Sequence, residues 1–431
     1  MCDWAEEQLG RLASIEIGGT PAREVAEYWA REEDEGHPWV SIADLGPRIV
    51  FDTKERITNA GILNSNAKRV PKGTLMMSFK LTIGRVGIAG RDLYINEAIA
   101  TIIPTDGRLD GRFLYYALPD TARSAITDTA VKGVTLNKQK LGGLLIRFPE
   151  RLDEQQRIAE ILSTVDEAIE HTEALIAKMQ QIKAGLMHDL FTRGVTPDGQ
   201  LRPPREEAPR LYKKSPLGWI PREWDTELLD NIALRGSGHT PSKNHPEYWN
   251  GEIKWISLAD SWRLDRVHIV DTDHKITQAG IENSSAVVHP AGIVVLSRDA
   301  GVGKSAVTTC EMAVSQHFMC WRCGPRLNNY YLYYWLQYRK WEFENIATGS
   351  TIPTIGLRFF RHYRINIPLE VSEQEHIAAT LLAADEKVFS LEDDVGKLRQ
   401  LRAGLMHDLL TGRVPVSAAD AAESKKIAAN V

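Results

Sequence analysis

A chain of 431 residues that is 43% hydrophobic and 25% charged has room for two or three domains, each with its own core. It holds no apolar run near the roughly 18 residues that span a bilayer, and its opening, MCDWAEEQLGRL, lacks the basic end and apolar stretch of a signal peptide, so a cytoplasmic protein is expected. The formal charge of −5 disfavours a nucleic-acid partner only as an average: residues 37–152 carry 17 Lys+Arg against 10 Asp+Glu, residues 210–371 carry 19 against 16, and residues 153–192 carry 3 against 8. Two basic segments alternate with acidic ones, so local fields that attract phosphate persist inside a negative total.

Residues 1–152 read as a mixed α/β globule. PWVSIADL and GTLMMSF are short apolar runs bounded by Gly, Pro and Asn, the pattern of strands joined by turns, and FLYYAL (113–118) begins a helical stretch. A long helix is expected over 153–192, where Ile161, Val165, Ala168, Thr172, Leu175, Met179, Ile182 and Leu186 recur at alternating spacings of four and three. That is the period of a coiled-coil seam. Residues 193–215 read as a linker.

A second globule, 216–371, follows with KWISLADS, AGIVVLS and the helical YLYYWL (331–336). A second long helix is expected over 372–412, with its seam at Ile377, Leu381, Ala384, Val388, Leu391, Val395 and Leu398. Ser372 as N-cap and Glu375 at N3 suit a capping box, the opening at Asp153 is similar, and Gly194 and Gly412 stand where the helices stop. Residues 413–431 read as a mobile tail. Cys2, Cys310, Cys320 and Cys323 include a single CxxC, with no second pair or suitably spaced histidines to complete a zinc site, so they read as reduced, structural thiols.

The two halves are copies. AGLMHDLFTRGV (184–195) returns as AGLMHDLLTGRV (403–414), GGTPAREVAEYW (18–29) as GHTPSKNHPEYW (238–249), ITNAGILNS (57–65) as ITQAGIENS (276–284), and EQQRIAEIL (154–162) as EQEHIAATL (373–381). This spacing is far beyond the 20 to 50 or so residues of solenoid repeats, so it marks one duplicated fold. Pairing the two helices antiparallel about a pseudo-twofold axis would bury both seams and make the pair a spacer between the globules.

These motifs resemble the specificity subunit of type I restriction-modification enzymes. The resemblance rests on GWIPREW, GHTPSKNHPEYWNGEIKWISLAD, ITQAGIENSSA, SRDAGVGKSAV, TGSTIPT, INIPLEVSEQEHIAATLLAAD and LMHDLLTGRV, and it covers residues 1–414. The first half departs from it in lacking a GWIP lead-in and in carrying Lys132-Gly133-Val134-Thr135 in place of a Gly-Ser-Thr form. The resemblance implies two target-recognition domains, each reading one half of an interrupted double-stranded DNA sequence, with the helices fixing the gap. It also implies docking of two methyltransferase subunits, which bring S-adenosylmethionine and modify adenine, and through them restriction/translocase subunits using ATP and Mg2+. The chain itself would hold no cofactor and catalyse nothing. The repeated AGLMHDL then serves two copies of one partner, through Leu186, His188 and Leu190 and through Leu405, His407 and Leu409.

Other readings of single motifs are weaker. GVGKS (301–305) lacks the first glycine of a P-loop, a place held by Arg298. Arg298, Lys304 and Ser305 on a glycine-rich turn suit a phosphate or base edge, as do Lys80 and Arg85 at the same place in the first copy. His188 and His407, each followed by Asp, have no companion nucleophile nearby in sequence. Glu154, Glu160, Asp166 and Glu167 read as helix-surface charges rather than a metal cluster. Polar loop residues are the candidate base readers: Ser41 and Asp44 against Ser257 and Asp260, and Asn96 and Glu97 against Gln316 and His317. Lys132, Thr135, Lys138, Lys243, Ser350, Thr351 and Arg358 are further candidate DNA contacts, whereas Thr20-Pro21 and Thr240-Pro241 read as loop-shaping. A rival reading is a coiled-coil adaptor whose globules bind peptides. Steep salt dependence of duplex binding separates the two.

Overall fold

The computed structural model describes residues 4–31, 36–127, 137–347 and 354–416. It divides into one unit drawn from Met1–Thr172 and Asp394–Val431 and a second drawn from Glu173–Asp393. In the first, a five-stranded sheet runs in the order Ala13–Ile17, Ile99–Pro104, Leu75–Ser78, Val86–Ala89, Ile49–Val50. Leu75–Ser78 is buried along its whole length, which is why GTLMMSF reads as a continuous apolar run rather than an alternating one. A four-stranded sheet, Glu55–Ile57, His37–Val40, Leu93–Ile95, Lys68–Val70, stands beside it. The helix Gly111–Thr127 carries Phe113, Leu114 and Leu118 into the core, all at 0% exposure.

The second unit repeats this plan strand for strand. Its five-stranded sheet runs Ala233–Ser237, Phe318–Cys323, Val294–Ser297, Ser305–Thr308, His268–Ile269, and its four-stranded sheet runs His274–Ile276, Trp249–Ile256, Met312–Val314, Val288–His289. Asn328 caps the helix Asn329–Tyr338 by accepting from the Tyr330 and Tyr331 amides, and six residues of that helix are buried. Its aromatic side chains pack edge to face with Phe191 and Trp224. A hairpin, Tyr212–Ser215 with Gly218–Pro221, leads into this unit from within the expected linker.

The long helices span Leu152–Thr192 and Val371–Leu410. Each is bolted to its globule by one buried glutamine. The Gln155 amide donates to the carbonyls of Arg108 (2.7 Å) and Pro149 (2.8 Å) and accepts from the Asp110 N–H (2.8 Å). Gln374 does the same with Arg326, Pro368 and Asn328. The second helix already runs at Val371, one residue before the expected cap Ser372. Its entry is held by Gln374 and by Glu373, which binds Arg202, the Trp224 indole (2.9 Å) and the Val195 amide (3.0 Å). Gly194 and Gly412 end the helices with φ of 62° and 70°, a left-handed turn that glycine adopts without strain.

Within each unit the two helices pack on each other and share one polar lock. In the first, Asp166 accepts from the Tyr116 hydroxyl (2.9 Å) and is paired with Arg402. In the second, Asp385 accepts from the Tyr334 hydroxyl (2.9 Å) and is paired with Lys183. Burial, with the neighbouring carboxylate adding to it, pushes both hydroxyls well above the usual tyrosine range, so each remains a donor. Asp166 and Glu154 are therefore buried, at 8% and 5% exposure, and not the helix-surface charges the sequence suggests.

The seam of the second helix lies where its spacing places it: Ile377, Leu381, Val388, Leu391, Val395 and Leu398 are all buried. The first helix departs from expectation. Leu175 and Ile182 are 41% and 49% exposed, and Ile176 and Lys183 turn inward beside Met179 instead. A straight 3.6-residue helix drifts off a 3.5-residue seam by about 20° per heptad, and the Lys183–Asp385 pair fixes the face that turns in.

Candidate nucleic-acid interface

In each unit a glycine-rich turn is tied to a capped turn that follows a tryptophan-bearing strand, and a second tryptophan packs edge to face on the first. The turn after the tryptophan-bearing strand is a capping box: in the second unit the Ser257 amide and hydroxyl donate to Asp260 Oδ2 (2.9 and 3.2 Å), and Asp260 Oδ1 accepts from the Asp273 amide (2.7 Å). Ser41 and Asp44 repeat the box in the first unit, with the Lys54 amide on Asp44 Oδ1 (3.0 Å). Asp260 is 0% exposed and Ser257 7% exposed, so they hold the turn together and Asp260 has no surface to offer a base.

GVGKS forms the turn between the antiparallel strands Val294–Ser297 and Ser305–Thr308, with φ of 98° at Gly301 and 85° at Gly303. A P-loop is followed by a helix, so the topology agrees with the missing glycine. The Lys304 ammonium donates to the Ser261 carbonyl (3.1 Å) and Arg85 reaches the Ile42 carbonyl (3.4 Å), so each ties the glycine-rich turn to the capped turn of its own unit. Arg298 is half-buried beside Asp299, which also binds His317 Nδ1 (2.7 Å). Lys80 is half-buried beside the Phe79 ring. Ser305 is 0% exposed and its hydroxyl accepts from Gln337 (2.8 Å), which removes it from the candidate surface.

A further polar pair recurs in each unit. The Thr240 hydroxyl donates to Gln316 Oε1 (2.5 Å), and Thr20 is bonded to Glu97 in the same way. Glu97 is thus the counterpart of Gln316, and Asn96 that of Ser315. Asn96 Oδ1 accepts the Ala98 amide (3.0 Å) and shapes the loop.

In the second unit a cavity of about 670 Å³ opens here, lined by Thr240, Lys243, Trp249, Trp255, Ser257 and Gln316 among others. It gathers Lys243, Ser257 and Gln316 from the candidate set. Exposed Arg358 lines a separate cavity with Glu342 and Phe359. Exposed Lys138 begins the short helix Lys138–Gly142. Lys132, Thr135, Ser350, Thr351 and Cys2 lie outside the described residues. The tryptophans are what the sequence reading missed; their recurrence in both copies, at Trp29 and Trp39 and at Trp249 and Trp255, was the available signal.

The AGLMHDL ends divide by face. Leu190 and Leu409 are 2% and 4% exposed inside the cores of their own units, so neither is free to dock a partner. Leu186 and Leu405 are half-buried against the same cores. His188 and His407 are exposed, the first 3.4 Å from the Tyr338 hydroxyl and the second 2.6 Å from Arg413. On the exposed side stand Ile182 and Leu401, a matched apolar pair at 49% and 39% exposure.

Cys310, Cys320 and Cys323 are free thiols, and burial pushes Cys320 and Cys323 up to about 12. Among the described residues, no helix is long and apolar enough to cross a membrane, and no group of His, Cys, Asp or Glu is placed to hold a metal ion.

Comparison with known proteins agrees with this repeat. The family described as type I restriction modification DNA specificity domain matches residues 1–181 and again 221–398. The MjaIX specificity subunit of a type I restriction enzyme from Methanocaldococcus jannaschii is 22% identical over 96% of this chain and 94% of its own length. The EcoR124I/EcoR124II specificity subunit of Escherichia coli is 26% identical over 37% of this chain and 40% of its own. The crystal structure of a type I restriction-modification S subunit from M. genitalium shares the fold at a TM-score of 0.61 and 15% identity, covering 95% of this chain and 96% of that one. A solved chain of a type I R-M system, 16% identical, covers 95% and 98% at a TM-score of 0.54. With the family matched twice along one duplicated α/β chain, the protein belongs to the type I restriction-modification DNA specificity family.

Proposed function

We propose that each unit reads one half of an interrupted duplex DNA target and that the two long helices set the gap between the halves. The observation that carries this reading is the repetition, within one chain of a DNA specificity family, of the same capped turn and the same glutamine-bolted helix. One reader per half-site is the economical use of two copies. Forty-one residues of helix extend about 60 Å, enough to bridge more than one turn of B-DNA at about 34 Å.

The chain does no chemistry in this reading. It positions two adenine methyltransferase subunits carrying S-adenosylmethionine and, through them, restriction/translocase subunits that use ATP and Mg2+. One of the matched solved chains comes from work on complex assembly in a type I R-M system, which supports a scaffolding role here. The matched exposed residues Ile182 with His188 and Leu401 with His407 replace Leu190 and Leu409 as the docking surface, one set for each partner copy.

The test is to map methylated adenines in cells carrying the system, then to delete one helical turn from both long helices. A bipartite target whose gap shortens is expected; an unchanged gap contradicts the spacer role.

A further inference from the structure

The tryptophan pairs of the two units are built alike and covered differently. In the first unit Arg23 lies flat on Trp29, 3.9 Å from the ring centroid, and is ion-paired with Glu55, so this ring face is covered by the chain's own side chain, and the pair lines a cavity of about 550 Å³ beside it. Trp29 meets Trp39 edge to face at 5.0 Å. In the second unit Trp249 and Trp255 keep that geometry at 5.2 Å, so the equivalent ring face opens the same way. The residue in the place of Arg23 is Lys243, and that in the place of Glu55 is His274. Both line the open cavity, and among the described residues no cationic side chain lies over Trp249. The sequence between the tryptophans also differs: the first copy carries the acidic run Glu32, Glu33, Asp34 and Glu35, while the second is a strand with a β-bulge after Trp249, where Asn250 has a φ of 60°.

The first unit shows that this ring face takes a planar group of guanidinium size. In the second, the anion that selected a cation is gone and Lys243 supplies a positive charge at the rim. A planar, uncharged ring attached to an anion is the chemistry that matches: a nucleobase on its phosphate. Bases stack on aromatic side chains with little regard to sequence, and Asn250 and Gln316 can hydrogen-bond an exposed base edge.

We infer that the Trp249–Trp255 cleft of the second unit holds one unstacked nucleotide of bound duplex DNA, while in the first unit Arg23 occupies the stacking face of Trp29 and no base stacks there. This rests on the reading of the chain as a duplex-DNA reader. The two halves of the target are then recognised by different physics: one half through an extruded base, the other through the surface of an intact duplex.

The experiment uses the full chain without any methyltransferase subunit, so that no other protein can unstack a base. The duplex carries its mapped target, with 2-aminopurine placed at one position at a time in both half-sites. A several-fold rise in emission on binding is expected at one position in the half assigned to residues 216–371, and at none in the other half. Trp249→Ala should remove the rise, and Trp29→Ala should leave it. The double variant Lys243→Arg with His274→Glu, which rebuilds the covering pair of the first unit, should also abolish it, while thermal unfolding stays unchanged. Flat emission at every position with target preference retained overturns the inference alone, as does an equal rise in both halves. Failure of the wild-type chain to distinguish its target from a scrambled duplex overturns the DNA-reading function, and the cleft assignment falls with it. Protection of Trp249 from oxidation by a methyltransferase subunit in the absence of DNA would assign the cleft to a protein contact and would also overturn the inference.

Discussion

Arg23 covers the Trp29 face in the first unit, whereas Lys243 leaves the Trp249 face open in the second, yet Gln155 and Gln374 make the same three hydrogen bonds. The glutamines that set each helix on its globule agree between the copies, as do the tryptophan pair and the capped turn, whereas Arg23 and Lys243, at one place in the cleft, differ. Under the proposed reading, the shared frame serves two partner copies and the differing cleft residues distinguish two half-sites. The buried locks vary in the cation alone: Arg402 in one unit and Lys183 in the other meet the same carboxylate partnered by the same tyrosine.

The most damaging way to break this symmetry is to remove a lock. Asp166→Ala leaves Arg402 half-buried without its anion, and Asp385→Ala does the same to Lys183. Breaking a buried pair from one side costs about 3–5 kcal/mol, and urea unfolding should show losses of this order in both variants. A loss in only one would mean that the two locks are not equivalent. Next, Gln155→Ala and Gln374→Ala should each cost about 1–3 kcal/mol, because buried carbonyls and an amide lose their partners.

Much of the frame was legible in the sequence. The duplication, the α/β class, the two long helices and the glycine stops all follow from spacing and turn chemistry, because such signals are local. The inward turn of Ile176 and Lys183 was not legible, since it depends on a tertiary partner, Asp385, roughly 200 residues away. Asp260 and Ser305 looked like exposed loop polar groups and are buried turn-holders. Their hydrogen-bond partners, Asp273 and Gln337, come from other elements that no periodicity reveals. Leu190 and Leu409 illustrate a related ambiguity, since a repeated apolar residue at a helix end serves a core as readily as a partner.

Smaller effects sharpen the contrast between clefts. Arg23→Ala removes an exposed ion pair and a stacked cation, so unfolding should change by no more than about 1 kcal/mol. Duplex binding by the first half should then become less selective, read as a fall in the ratio of specific to scrambled affinity. Smallest is the response of the thiols. With burial holding Cys320 and Cys323 near 12, neither is a thiolate at neutral pH, and iodoacetamide should modify them only slowly in the folded chain. Rapid labelling of Cys320 at pH 7 would contradict its buried placement.

Independent reading by the two units is tested most directly by exchange. Residues 1–152 are replaced by the matching segment of a relative with a different target, and methylated adenines are mapped in cells. One half of the methylated sequence should change to that of the donor while the other half and the gap stay as they were. A change in both halves would contradict the account.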